Sequence, residues 1–355
     1  MAGPGPNPRT VDDVLAWLSA GRISSGEALV LFQRLETRAA PPAPAGDGEA
    51  DGERQRRLEA VMAELDALIG LAPVKELVRE LAALVEIQRR RAAAGLSTEP
   101  MALHMVFTGN PGTGKTTVAR LLARLFHGLG VLPREHLVEC ERADLVGEYI
   151  GHTAQRTREQ IRKALGGVLF VDEAYALARG GEKDFGKEAI DTLVKAMEDH
   201  KDEFIVILAG YRDEMEQFLS VNPGLRSRFP IHMDFPDYTP EELYQIALRL
   251  CQERQYRLSP AAGLRLKRFL AEEAQASPYA GNARLVRNLI ERAVRRQAVR
   301  LARRRHVSRG DLMTLEASDV LEAAHQLGTR HRPDHRVAVL HPGKPWAAGA
   351  GVARG

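Results

Sequence analysis

Eight consecutive residues, Gly109, Asn110, Pro111, Gly112, Thr113, Gly114, Lys115 and Thr116, have the types and spacing that hold phosphate. Glycines let the backbone wrap so that successive N–H groups converge on phosphate oxygens. Lys115 supplies a point charge for β- and γ-phosphates, and the Thr116 hydroxyl is a ligand for Mg²⁺. An apolar strand pattern, LHMVF, precedes the loop. A helix pattern, TVARLLARLF, begins at Thr117 and adds its positive N-terminal end to the cradle. A second stretch, GVLFVDEA from Gly167 to Ala174, is an apolar run that stops at two carboxylates. In open α/β folds ligands sit at the carboxyl ends of the strands. There Asp172 would hold Mg²⁺ through its water shell, and Glu173 would orient and deprotonate an attacking water. That pairing suits hydrolysis rather than transfer to a second substrate. Each piece alone has a plain alternative, a turn with a surface lysine or a strand end with solvated acids. Their occurrence in this order in one chain favours the chemical reading.

The elements that must position these residues follow from periodicity. Residues 1–9 are rich in Gly and Pro. Residues 10–37 read as two short amphipathic helices, hence an N-terminal hairpin over 1–38. Pro, Ala and Gly mark 39–56 as a linker, although a helical pattern already begins at 53. A turn at Gly70–Pro73 leads into a longer helix ending at Gly95. Strands are expected at Leu103–Thr108, Leu137–Cys140, Val168–Val171, Phe204–Ala209 and Ile231–Phe235. Helices alternate with them at 117–128, Arg156–Leu165 and Glu188–Asp199. This alternation implies an α/β fold, a mostly parallel sheet with helices on both faces, over 57–237. After Asp237 no strand pattern survives. Helical stretches at Pro240–Gln255, Pro260–Gln275, Ala283–Arg305 and Asp319–Leu327 make an all-α domain over 238–322, followed by a loose tail over 323–355.

Composition narrows the class. The chain has 355 residues with 50 Lys+Arg against 47 Asp+Glu, a formal net charge of +3. With 44% hydrophobic and 27% charged residues it reads as globular, and near neutrality excludes a uniformly basic nucleic-acid coat. Two distant cysteines, Cys140 and Cys251, fit a reducing cytoplasm rather than a disulfide framework. No stretch approaches 18 apolar residues and MAGPGPNPRT lacks a signal pattern, so neither membrane insertion nor secretion is expected.

In order, GNPGTGKT, GEYIGHT, GGVLFVDEAY, DFGKEAIDTLVKAMED, VILAGYRDEM and NPGLRSRFP resemble the CbxX/CfqX branch of the AAA+ ATPases. That branch takes in red-type Rubisco activases, the stage V sporulation protein K group and the ATPase domains of type VII secretion EccA proteins. The resemblance covers about residues 66–305. It implies a homo-oligomeric ring, a hexamer, that binds ATP and Mg²⁺ between neighbours and remodels a protein client through a central pore. Arg226 and Arg228 in LRSRF resemble the segment that supplies an arginine finger to the next subunit; the motif does not say which of the two acts. Arg284 in GNAR resembles the sensor-2 arginine of the helical lid, and Leu68, Ile69 and Gly70 the adenine-side segment. Tyr149 and Ile150 in EYIG resemble the aromatic pore loop. At the usual sensor-1 position after the fourth strand, LAGYRD offers Gly210 and Tyr211 rather than Asn or Thr.

Residues 284–305 carry nine arginines against one acid, Glu291, a formal +8 that leaves −5 for the rest of the chain. The plain reading is a solvated lid face with some pairing. The sharper one is a polyanion contact at the Arg284–Arg305 helix, which would suit a nucleic-acid motor or loader instead of a client remodeller. A nucleotide-gated scaffold is the third reading. The four histidines of the tail, His325, His331, His335 and His341, lack acids or cysteines at ligand spacing, which argues against a metal site.

Overall fold

The computed structural model describes residues 47–98, 101–147, 149, 151–179, 185–276 and 281–331. The expected N-terminal hairpin and the end of the tail lie outside the described residues. The chain divides into two units, Met1–Ala60 and Val61–Gly355. Of the first, the described part is the opening of helix α1 (Asp47–Ala67). This helix begins inside the segment whose composition reads as linker, and an i,i+4 pair of Glu53 and Arg57 lies along it.

The second unit contains a sheet of five parallel strands in the order β2-β3-β4-β1-β5. They are β1 (Met105–Gly109), β2 (Leu137–Cys140), β3 (Val168–Val171), β4 (Ile205–Gly210) and β5 (Ile231–Phe235). Three of the five have the expected bounds, and the other two shift by one or two residues. Parallel strands covered by helices on both faces are apolar throughout, and β3 and β4 are buried at every position. Helix α2 (Ala72–Ala93) precedes β1, and α3 (Lys115–Gly128), α4 (Arg142–Leu145), α5 (His152–Ala164) and α6 (Gly186–Asp199) fill the connections up to β4.

A further helix, α7 (Arg212–Val221), occupies a stretch that periodicity leaves unassigned. It has only three buried apolar residues, Met215, Phe218 and Leu219, too short a stripe to stand out. Asp213 and Glu214 in its first turn complement the helix dipole. The short helix α8 (Pro223–Arg226) precedes β5.

From Thr239 the chain is mainly helical: α9 (Pro240–Glu253), α10 (Pro260–Ala276), α11 (Asn282–Ala302), α12 (Arg309–Met313) and α13 (Ala317–His331). Thr239 and Glu242 form the capping box that starts α9. Two expectations are corrected. A small parallel sheet joins β6 (Arg257–Leu258) to β7 (Thr314–Leu315), where no strand is expected. Two-residue strands paired across more than fifty positions leave no periodic signature. The last helix also runs on to His331, through positions whose composition reads as tail. It is held to α11 by Arg300 and Asp319, an ion pair at 2.7 Å whose carboxylate is 2% exposed. Among the described residues no helix is long and apolar enough to cross a membrane.

His104, just before β1, is 5% exposed. Its Nδ1 accepts the Val206 N–H at 3.1 Å, and its ring packs against Phe204 and Phe229. Burial pushes its pKa down to about 4. Between that value and the unfolded value near ~6.5 the unfolded chain binds more protons. The stabilisation is therefore complete above about pH 6.5 and is lost as pH falls toward the folded value. Urea unfolding at pH 7.5 and pH 5.0 should show the wild type losing about 2 kcal/mol more than His104→Asn, whose Oδ1 can keep the Val206 bond. Equal losses in the two proteins would contradict this account of His104.

Candidate functional site

Strand order decides what meets what. β4 lies between β3 and β1, so the loop after β1 and the acids after β3 flank the end of β4. The three strand ends and the start of α11 enclose a cavity of about 270 Å³. Gly109, Pro111, Gly112, Gly114, Lys115, Thr116 and Thr117 line it from the loop, Asp172 and Glu173 from β3, and Arg284 from α11. Most of the expected phosphate-site residues are therefore assembled in one place.

At Gly109 and Gly112 the loop leaves no room for a side chain. Gly112 has φ +75°, and a Cβ there would lie 2.6 Å from the Gly281 carbonyl and 2.9 Å from the Arg284 nitrogen. Glycine permits both the left-handed backbone and this close approach of α11. Lys115 donates to the carbonyls of Gly109 at 2.7 Å and Asn110 at 2.9 Å. Burial lowers its pKa, an effect opposed by the negative charge of Asp172. Two neutral carbonyls are weak partners for a half-buried ammonium, an arrangement that suits a charged phosphate.

Asn110 and Thr113 are not lining residues; they brace the loop. The Thr113 hydroxyl, fully buried, donates to the Asn110 carbonyl at 2.8 Å. The Asn110 amide donates to both oxygens of Asp237, at 3.0 and 2.8 Å. Asp237 Oδ1 also accepts from Asn282 Nδ2 at 2.8 Å, and that amide lies 3.3 Å from the Pro111 carbonyl. Asn282 is 1% exposed with φ +45°, a conformation that asparagine tolerates better than most residues. Its Oδ1 accepts the Tyr238 N–H at 3.0 Å. The Tyr238 hydroxyl donates to the Thr113 carbonyl at 3.1 Å, and the Ala283 N–H to the Gly112 carbonyl at 3.1 Å. The helical domain is thus tied to the loop by a connected polar network. Asp237, Tyr238 and the role of Asn282 are not anticipated from sequence, because the partners lie far apart along the chain.

Glu173 is a non-glycine residue in the left-handed region, φ +48° and ψ +43°. Its N–H bonds to Asp172 Oδ1 at 3.0 Å, and its carboxylate is exposed. Backbone held in this region at a strand end is a feature of functional sites. Two phenols complete the wall. Tyr175 and Tyr211 line the cavity with their ring centroids 5.9 Å apart, and the Arg179 guanidinium lies 4.5 Å from the centre of the Tyr175 ring. Burial, then the charge of Glu173, raises both hydroxyls, that of Tyr175 to about 12, so both remain donors. Gly210 leaves room for the Tyr175 ring, since a Cβ there would meet it at 2.7 Å. Tyr211 occupies the position after the fourth strand where a polar residue is looked for.

Thr116 and Asp172 face the cavity together. Among the described residues no group of three or more His, Cys, Asp or Glu side chains could cage a metal. One hydroxyl and one carboxylate suit an ion that keeps its waters and takes phosphate oxygens, as Mg²⁺ does.

The remaining expected residues lie elsewhere. Leu68, Ile69 and Gly70 do not line the cavity. Their turn is held by Lys75, which donates to the Leu68 carbonyl, and Gly70 adjoins Tyr238 and Glu242. Arg226 and Arg228 are also outside it. Arg228 donates to the Gly224 carbonyl at 2.7 Å and pairs with Glu198. Arg226 is exposed and makes no side-chain hydrogen bond or ion pair among the described residues. Tyr149 is 67% exposed, its ring edge-on to His152 at 5.5 Å, so it does not pack inward. Ile150 lies outside the described residues. Of the arginine-rich helix, Arg292, Arg296, Arg300 and Arg304 are engaged by acceptors within the helical domain.

Residues 105–237 match the family model of the ATPase family associated with various cellular activities (AAA), and 239–330 match the AAA lid domain. Stage V sporulation protein K of Bacillus subtilis (strain 168) is 55% identical over 265 residues, covering 74% of this chain and 82% of that protein. The chloroplastic ribulose bisphosphate carboxylase/oxygenase activase of Cyanidioschyzon merolae is 45% identical, covering 76% of this chain and 93% of its own length. Protein CbbX of Cereibacter sphaeroides is 51% identical, covering 68% and 78%. Among solved structures, a point mutant of Thermotoga maritima RuvB superposes with TM-score 0.50 at 21% identity, covering 74% of this chain and 72% of that one. That likeness is one of fold.

Proposed function

The chain belongs to the AAA family of ATPases, and on that premise we propose that it forms a ring, a hexamer, that spends ATP to remodel a protein client through a central pore. ATP hydrolysis itself goes with the family. The observation that carries the chemical reading is the meeting of Lys115, Asp172, Glu173 and Arg284 around one cavity. Lys115 and the loop N–H groups bind the phosphates, Glu173 takes a proton from the attacking water, and Arg284 contacts the nucleotide from the lid. Mg²⁺, when bound, is held by Thr116 and Asp172 and offsets phosphate charge. The polar network through Asp237 and Asn282 carries changes at the phosphate loop to the lid.

Sharing of the site between subunits is supported by Arg226, which is exposed and outside its own chain's cavity. Client remodelling is supported by the exposed Tyr149 between Gly147 and Gly151, suited to sequence-tolerant grip on an extended peptide. One similar protein is by name an activase of ribulose bisphosphate carboxylase/oxygenase, which supports a protein as the client. A nucleic-acid motor is less well supported, because four arginines of the basic helix are engaged within the lid. Two buried, unpaired cysteines support a reducing, cytoplasmic setting.

A client trapped on ATP-loaded Glu173→Gln assemblies and identified from native lysate provides the assay. Tyr149→Ala should keep basal ATPase within about twofold and lose client remodelling. An unchanged remodelling rate would remove the pore-loop reading. Strong DNA stimulation that falls steeply with salt would replace it with the motor reading.

A further inference from the structure

We propose that Arg287 is a second lid guanidinium for the nucleotide and that, with Arg284, it discriminates triphosphate from diphosphate; this rests on the ATPase reading above. Arg287 lines the same cavity as Lys115, Asp172, Glu173 and Arg284. It stands one helical turn after Arg284 on α11, so both side chains project from one face.

Within α11 itself, after Arg287, every arginine has an acceptor, Arg295 donating to the Glu291 carbonyl at 3.3 Å. Arg292 donates to the Gln326 carbonyl at 3.1 Å, and Arg296 pairs with Glu322 at 3.4 Å. Arg300 pairs with Asp319 at 2.7 Å. Arg287 has no side-chain hydrogen bond or ion pair among the described residues. The basic helix is therefore two things: a cavity end with Arg284 and Arg287, and a lid-internal run. Arg284 also occupies the first turn of α11, where the helix dipole disfavours a cation unless an anion faces it.

Charge suggests what that anion is. The cavity walls bear Lys115, Arg284 and Arg287 against Asp172 and Glu173. Arg284 is close enough to Lys115 and Tyr211 for its charge to be felt at both. Arg287 extends the same face one turn further along the cavity wall. The additional charge of the third phosphate is the feature of ATP that calls for another guanidinium, which binds phosphate in fork geometry.

The test is calorimetric titration of the full-length chain with β,γ-imido-ATP and with ADP. Arg287→Ala should weaken the triphosphate about tenfold and ADP less than twofold, so their Kd ratio shifts by fivefold or more. Arg287→Lys, which keeps charge and helix propensity but not the fork, should give a smaller shift of the same sign. Arg295→Ala, an exposed arginine of the same helix outside the cavity, should leave the ratio unchanged. A ratio within twofold of wild type in Arg287→Ala, or an equal shift in Arg295→Ala, overturns the assignment. If Arg287→Ala does not fold, Arg287→Lys decides by the same ratio. Unweakened nucleotide binding by Lys115→Ala would instead mean that the phosphate-loop reading has failed.

Discussion

A Glu173→Gln chain binds ATP with nearly wild-type affinity and hydrolyses it about 10²–10⁴-fold more slowly, the usual worth of a positioned general base. The amide is the same size as the carboxylate, so the cavity keeps its shape. The bond from the Glu173 N–H to Asp172 Oδ1 and the left-handed conformation at position 173 do not depend on the charge of the Glu173 side chain. What is lost is a proton acceptor. Lys115, Thr116 and Asp172 remain for the nucleotide. Phosphate release and equilibrium binding on one preparation separate the two effects. Turnover within threefold of wild type would rule out Glu173 as the base. Loss of binding together with turnover would point to a damaged fold.

The second large effect distinguishes two neighbouring arginines. Arg226→Ala should lower turnover about 10³-fold or more, as loss of a trans-acting arginine does. Arg228→Ala should act mainly on stability, by about 1 kcal/mol or less, because it removes a half-exposed pair with Glu198 and a bond to Gly224. Mixing settles where Arg226 acts. In a one-to-one mixture of Arg226→Ala and Glu173→Gln chains, about a quarter of ring interfaces join an intact Glu173 to an intact Arg226. Recovery toward that fraction of wild-type turnover is expected, and no recovery in any mixture would exclude a shared site. If Arg228→Ala alone abolishes turnover while the chain stays folded, the roles of the two arginines are exchanged.

Much of this site is legible in the chain because its recognition chemistry is local. The phosphate-loop motif is consecutive residues between a strand and a helix, and the acid pair proposed as base and Mg²⁺ ligand is two adjacent residues after an apolar run. Such arrangements depend on one turn and on the direction of one strand, which periodicity supplies. The same holds for Arg284, named by a short motif at a helix start. Arg287 follows it at i+3, a spacing that puts it on the same face, yet its role is hidden among nine arginines of identical type. Helix α7 and the β6–β7 pair escape notice for another reason. A short apolar stripe and two-residue strands carry too little pattern, and the pairing of Arg257 with Thr314 is made by tertiary approach.

By itself, then, the sequence determined the parallel α/β core, the following helical domain, the phosphate loop, the acid pair and the chemistry of ATP hydrolysis. Each is encoded by neighbours in the chain. Tertiary structure alone decided the order β2-β3-β4-β1-β5, which brings Tyr211 to the cavity between the loop and the acids. It decided that Asn110, Asp237 and Asn282 join loop to lid, and that Arg292, Arg296, Arg300 and Arg304 turn toward lid acceptors while Arg287 faces the nucleotide cavity. The physical reason is the same in each case. Side-chain type sets which partners are acceptable, but burial and distance choose among them, and those exist only once remote segments have packed.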